Sequence, residues 1–172
     1  QKFNNDFNTK IFPIPEPLIF GEATRVMSLR DGTKKMSKSD SSDYSRIMLS
    51  DDEDEIVQKI RKAKTDPHPL PANMGEAQKR PEALNLLTIF AALSETKTDL
   101  VVDQYAGKEF ATFKKDLADL ASEKITPVTV EMKKLMNDAT YLDSIMKTGK
   151  EKAIEVAEIV LDQVYDLVGL SK

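Results

Sequence analysis

Apolar positions follow two rhythms along the chain, one on each side of about residue 80. Before it, apolar residues come in short runs broken by Pro, Gly and Ser. Ile11–Phe20 carries Pro13, Pro15 and Pro17 in alternation, which forbids a helix and predicts an extended, edge-like segment. Thr24–Leu29 reads as a strand, Asp31-Gly32 as a turn, and Ile47–Leu49 as a second short strand. Residues 51–64 predict one helix with Ile56, Val57, Ile60 and Ala63 on its apolar face. Ser50 with Glu53 predicts a capping box at its start. Acids at 51–55 and cations at 59, 61, 62 and 64 complement the helix dipole. Residues 65–80, with Pro67, Pro69, Pro71 and Gly75, predict a loop.

After residue 80 the period becomes helical. Pro81 stands at a first-turn position ahead of Leu84, Leu87, Phe90 and Ala91. Thr98 is the expected cap of a short helix ending near Tyr105, stopped by Gly107. Phe110, Phe113, Leu117 and Leu120 form a stripe, and Pro127 is expected to kink or break it. Ala153, Ala157, Val160, Val164 and Leu167 form the stripe of a last helix, the spacing that a bundle buries. The expected fold class is mostly α: a helical bundle over 81–172, preceded by a segment with short strands.

Composition narrows the chemistry. The 172 residues contain no Cys and a single His, which excludes disulfides, a thiol nucleophile and Cys-ligated metals, and argues against a multi-His site or a Ser–His triad. No apolar run has the length of a membrane span. The net charge of −4 gives no global support for nucleic-acid binding, so only a local basic patch could provide it. Gln1–Phe7 is neither a signal nor a transit peptide. It reads as the end of a helix already under way, so the chain is expected to be a piece of a longer protein.

Charge divides sharply at one place. Residues 25–39 hold Arg25, Arg30, Lys34, Lys35 and Lys38 against Asp31, whereas 40–55 hold seven acids against Arg46. Lysines on a turn, interleaved with small hydroxyl residues, form a polyphosphate clamp: a compact charge on a flexible stem follows a phosphate as it moves. Placed near a leaving pyrophosphate, such charges stabilise the transition state. A lysine-rich turn is more often merely solvated. The word Lys35-Met36-Ser37-Lys38-Ser39, however, would arise by accident in a chain this long about once in ten thousand times.

That word is the signature loop of class I aminoacyl-tRNA synthetases. Arg25-Val26-Met27-Ser28-Leu29 followed by Thr33-Lys34-Lys35 resembles the bacterial-type tryptophanyl-tRNA synthetase family. The resemblance extends through Pro15-Glu16-Pro17, Asn85-Leu86-Leu87, Tyr105–Phe113 with Gly107-Lys108, and Gly149 with Lys152-Ala153. It covers essentially the whole chain as the C-terminal half of such an enzyme. The resemblance implies a remnant of a Rossmann-like α/β catalytic domain with the KMSKS loop over 1–50, then an α-helical domain over 51–172 on the anticodon side of the tRNA. It implies tryptophan activation with ATP, Mg²⁺ carried on ATP, transfer to tRNA(Trp), a homodimeric full-length enzyme and a cytoplasmic site of action. Lys35 and Lys38 match the catalytic loop lysines. Val26, Met36, Ser37 and Ser39 complete the ATP-binding set with them, and no protein-held metal is expected. Without the other half, this piece is expected to be inactive.

Other residues carry weaker signals. Asp51–Glu55 lacks the spacing of a calcium loop and is better explained by helix capping. His68 in a Pro-rich loop reads as exposed. Tyr105, Phe110 and Phe113 are spaced for core packing rather than base stacking. Lys108, Lys114, Lys115, Lys133 and Lys134 are solvated faces by default, with phosphate contact as the alternative. Two competing readings remain open: another class I ligase, the tyrosine enzyme foremost, and a non-catalytic helical binding module.

Overall fold

A computed structural model describes residues 1–170. Its helices are α1 (Lys2–Asp6), α2 (Glu53–Arg61), α3 (Met74–Ala77), α4 (Pro81–Leu93), α5 (Thr98–Tyr105), α6 (Phe110–Met136) and α7 (Ala139–Val168), with a 3-10 turn at Asp43–Ser45. The chain divides into two compact units, 19–134 and 1–18 with 135–172. The mostly helical class agrees with the apolar spacing after residue 80.

The larger unit holds the core. Ile56 and Ile60 of α2, Leu86, Leu87 and Ala91 of α4, Val101, Val102 and Tyr105 of α5, and Phe113, Leu117, Ala118 and Ala121 of α6 are all buried, together with Leu29 and Leu70. At its centre the Tyr105 and Phe113 rings meet edge-on with centroids 4.8 Å apart, and Phe90 lies 5.3 Å from Tyr105. Leu70 enters from the Pro-rich loop because its backbone is clipped at both ends: its N–H donates to Lys108 C=O (2.8 Å) and its C=O accepts from Gly107 N–H (3.2 Å). Gly107, with φ of +69°, supplies the left-handed residue that ends the α5 region.

In the smaller unit, α1 packs Phe3 against Phe7 and Phe12. Pro13–Leu18 has no regular element and stays exposed. No residue of α7 is buried. The 153–167 stripe therefore forms the expected helix without the expected burial: Val160 and Val164 are half-covered, and Ala153 and Ala157 are exposed.

Four further expectations are corrected. Thr24–Leu29 is not a strand: its only pairing is an isolated antiparallel bridge between Met27 and Lys35. The ladder stops there because side chains and turns take the flanking backbone groups, Asn85 binding Met27 and Ser45 C=O accepting from Leu29 N–H. Ile47–Leu49 is likewise no strand, since Met48 N–H donates to the Asp51 carboxylate at 2.8 Å. The capping box of α2 is formed by Asp52 and Glu55, not by Ser50 and Glu53. Of the kink or break expected at Pro127, the break is absent: α6 continues through it to Met136.

Thr98 opens α5 but is not its cap. Its N–H and hydroxyl both donate to Glu22, at 3.0 and 2.9 Å, so a carboxylate 76 positions away does the capping. These two bonds, with the N–H foremost, hold the Glu22 carboxyl below its ordinary range.

Candidate functional site

Residues 25–36 form a short hairpin with a buried turn at Gly32, and residues 37–39 follow its second arm in exposed positions. Ser28 N–H donates to Lys34 C=O (2.8 Å) and Met36 N–H to Val26 C=O (3.0 Å). The turn closes on Asp31, which accepts from the Thr33 hydroxyl (2.6 Å) and N–H (3.0 Å) and pairs with Lys34 at 3.3 Å. The Thr33 bonds and Lys34 hold the Asp31 carboxyl below its ordinary range. Lys34 is thus partly neutralised by its own turn.

Lys35 and Lys38 are different. Both are exposed, and neither ammonium has a hydrogen-bond or salt-bridge partner among the described residues. Ser37 and Ser39 bring their hydroxyls within 3.2 Å of each other, and Ser39 N–H reaches Ser37 Oγ at 3.4 Å. Met36 points the other way and packs against the core. Val26 is half-buried, with its carbonyl at the hairpin base. The structure therefore places all six predicted site residues on this hairpin and the segment after it: Val26 on the first arm, the exposed Lys35 and the anchoring Met36 on the second, and Lys38 with the Ser37 and Ser39 hydroxyls just beyond. An unpaired ammonium pair with adjacent hydroxyls is suited to multivalent anions.

Downstream, Asp43 and Asp51 of the acidic stretch meet cations of their own. Arg46 donates to the carbonyls of Asp40 and Ser42 and pairs with Asp43. Asp51 and Asp43 both meet Lys59, at 2.7 and 3.1 Å, and Lys59 and Asp51 are buried. Burial alone would lower the Lys59 pKa, but hydrogen bonds and charges from the two carboxylates outweigh it, so the group is held above its ordinary value. Asp51 is therefore committed to an ion pair. No group of three or more side chains suited to a metal ion is present among the described residues.

The weaker candidates resolve individually. Tyr105 and Phe113 are core residues. Burial, then the Asp116 carboxylate that accepts its hydroxyl at 2.9 Å, pushes the Tyr105 phenol up to about 12. Lys114 is turned inward. It donates to the carbonyls of Ala63 (2.6 Å) and Arg61 (3.3 Å), closing the end of α2, and burial lowers its pKa. Lys108 lies over the Tyr105 ring, 4.8 Å from its centroid, and Lys134 pairs with Glu131. His68 is exposed.

Sequence reasoning missed what holds the hairpin. Asn85 is 5% exposed, and its carboxamide binds the Met27 backbone on both sides. One signal was available: a lone carboxamide among Leu84, Leu86 and Leu87 must satisfy its hydrogen bonds inside the fold. Glu82 and Lys64 were missed as well. They pair at 2.9 Å, each charge shifting the other's pKa in its own favour, Glu82 down and Lys64 up.

Comparison with known proteins gives a consistent answer. The family model for tRNA synthetases class I (W and Y) matches residues 1–127. The tryptophan–tRNA ligase of Caulobacter vibrioides is 54% identical over 171 residues, covering 98% of this chain and 49% of the relative. That of Mesorhizobium japonicum is 47% identical over 189 residues, covering 99% of this chain and 53% of the relative. Among solved structures, the tryptophanyl-tRNA synthetase from Mycoplasma pneumoniae matches with a TM-score of 0.70 at 25% identity, over 99% of this chain and 52% of that one. The chain spans about half the length of the curated relatives it matches.

Proposed function

The chain belongs to the class I tRNA synthetases that serve tryptophan and tyrosine, and we propose that it forms the C-terminal half of a tryptophan–tRNA ligase. In that reading the whole enzyme joins the tryptophan carboxylate to the α-phosphorus of ATP. The bond from that phosphorus to the bridging oxygen breaks, and pyrophosphate leaves with its electron pair. The aminoacyl group then passes from the adenylate to a hydroxyl of tRNA(Trp), the acyl–phosphate bond breaks and AMP leaves. Mg²⁺ enters with ATP as part of the substrate. Relatives at 47–54% identity are tryptophan–tRNA ligases, which favours tryptophan over tyrosine.

Residues 1–50 are then the last part of the Rossmann-like catalytic domain with the KMSKS loop, and 51–172 the helical domain on the anticodon side. The boundary is one of function, since 19–134 pack as one unit. Lys35 and Lys38 act on the triphosphate as charge builds on the departing pyrophosphate. Ser37 and Ser39 offer hydroxyl and backbone donors, Met36 seats the loop, and the Val26 backbone meets the adenine. The full-length enzyme works as a homodimer in the cytoplasm. The 172 residues alone are inactive, because the amino-acid pocket belongs to the other half.

The observation that carries this reading is the pair of exposed ammonium groups, partnerless among the described residues, three positions apart on and just beyond an anchored hairpin. The test is tryptophan-dependent ATP–pyrophosphate exchange in the full-length enzyme, with tyrosine as control. Lys38→Ala is expected to cost about 2–4 kcal/mol, tens- to nearly a thousand-fold in rate. Exchange driven by tyrosine would move the assignment to the tyrosine enzyme. Exchange unaltered in both Lys35→Ala and Lys38→Ala would leave a helical binding module with a merely basic turn.

A further inference from the structure

We propose that Asn85 is a positioning residue for the phosphate loop: its carboxamide takes the place of a neighbouring strand and fixes the hairpin root from which Lys35 and Lys38 extend. The proposal rests on the ligase reading and adds to it a residue on the helical side of the chain.

The geometry is specific. Asn85 Oδ1 accepts from Met27 N–H at 2.9 Å, while Nδ2 donates to Met27 C=O at 2.9 Å and to Ser28 C=O at 3.4 Å. One side chain thus engages both backbone groups of one residue, as a paired strand residue would. Met27 is also the residue bridged to Lys35. Only one backbone pairing therefore separates the Asn85 carboxamide from the first loop lysine.

Two neighbouring contacts make α4 a clamp rather than a single peg. Gly32, at the hairpin turn, lies so close to the first turn of α4 that a Cβ there would stand 2.5 Å from Glu82 N and from Pro81 C. Glu82 holds Lys64 at 2.9 Å, and the Lys64 N–H donates to Leu29 C=O at 2.7 Å. Residues 27–32 are thus gripped along their length, while the Lys35 and Lys38 ammonium groups beyond them have no partner among the described residues. A charge that acts on a transition state must start from a fixed root, since small displacements of a preorganised group carry large rate penalties. The carboxamide is the group suited to this task. Leu offers no polar atom, and an ionised Asp would set a second acceptor against two carbonyls.

The test has two arms. In this chain, Asn85→Leu and Asn85→Asp are examined by amide hydrogen exchange. Exchange at Met27, Ser28 and Met36 is expected to quicken at least about tenfold, while Leu87 and Phe113 stay within about twofold of the parent. In the full-length enzyme, the same variants are expected to lower kcat of pyrophosphate exchange about ten- to a hundredfold, with KM for tryptophan within about twofold. Unchanged exchange at 27, 28 and 36, or a uniform quickening across α4 and α6, overturns the clamp. A kcat that does not move, or falls only in step with a rising tryptophan KM, overturns the positioning role. A parent enzyme that shows no tryptophan-dependent exchange refutes the ligase reading instead, and the first arm still judges the clamp.

Discussion

An ammonium group taken out of water costs several kcal/mol unless carboxylates meet it. Lys59 is met by Asp51 and Asp43, and Asp51 also accepts from Met48 N–H. Asp51→Ala is therefore expected to destabilise the fold by about 3–5 kcal/mol in urea unfolding, because Lys59 stays buried with only the exposed Asp43. The double change Asp51→Leu with Lys59→Met is expected to recover most of that loss. The Asp66–Arg80 pair gives a pH test. Burial alone would raise the Asp66 pKa, but the Arg80 fork at 2.6 and 2.8 Å outweighs it and holds the carboxyl below its ordinary 3.8. A lowered folded pKa means the contribution is complete above 3.8 and lost as pH falls through the lower folded value. Melting temperatures between about pH 5 and pH 3 are expected to fall more steeply for the parent than for Asp66→Asn. The phosphate-loop side chains were legible because their chemistry lies in one continuous word. Lys59 and Asn85 were not, because each is defined by partners elsewhere in the chain.

Helix ends and helix interruptions show how local signals compete. The sequence predicts the α2 capping box at Ser50 with Glu53, but the structure forms it at Asp52 with Glu55. Asp51 turns inward to Lys59, and its neighbour Asp52 becomes the N-cap. Asp52→Ala is expected to cost about 1 kcal/mol, read by urea unfolding, and Ser50→Ala close to nothing. Pro127 shows the same competition inside a helix. It removes one backbone donor from α6, yet the helix persists, anchored nearby by Thr129, whose hydroxyl donates to Asp51 C=O at 3.1 Å in the larger unit. Pro127→Ala is expected to raise stability by about 2 kcal/mol, the helix-interior penalty of proline less its entropic benefit in the unfolded chain. A lowered melting temperature would mean that the ring packs in a way its exposed position does not indicate. The pattern of apolar residues identified most helices, whereas the capping of α5 and the anchoring of α6 next to Pro127 depend on contacts 76 and 78 positions away.

Across the molecule, burial is unevenly distributed. The buried apolar core spans Leu29 to Ala121, while α7, 30 residues long, buries none. Helical spacing was enough to place α7, because a period of 3.6 needs only the chain's own sequence. It could not say whether any surface covers the resulting stripe. A helix without tertiary burial has only propensity, caps and side-chain pairs to hold it, and these are marginal in water. Its ends are well formed: Asp138 accepts from Tyr141 N–H at 2.9 Å, and Gly169 closes the last turn at φ of +72°. The middle has no comparable support, and Gly149 lies within it. Amide exchange is therefore expected to separate two populations. Amides of α4 and of α6 around Phe113–Ala121 should be protected up to the global unfolding free energy. Those of α7 from about Lys147 to Val156 should exchange with protection of no more than about a hundredfold. Equal protection in the two groups would mean that something covers the α7 stripe in solution, and the apolar positions at 153, 157, 160 and 164 would then be the first to examine by substitution.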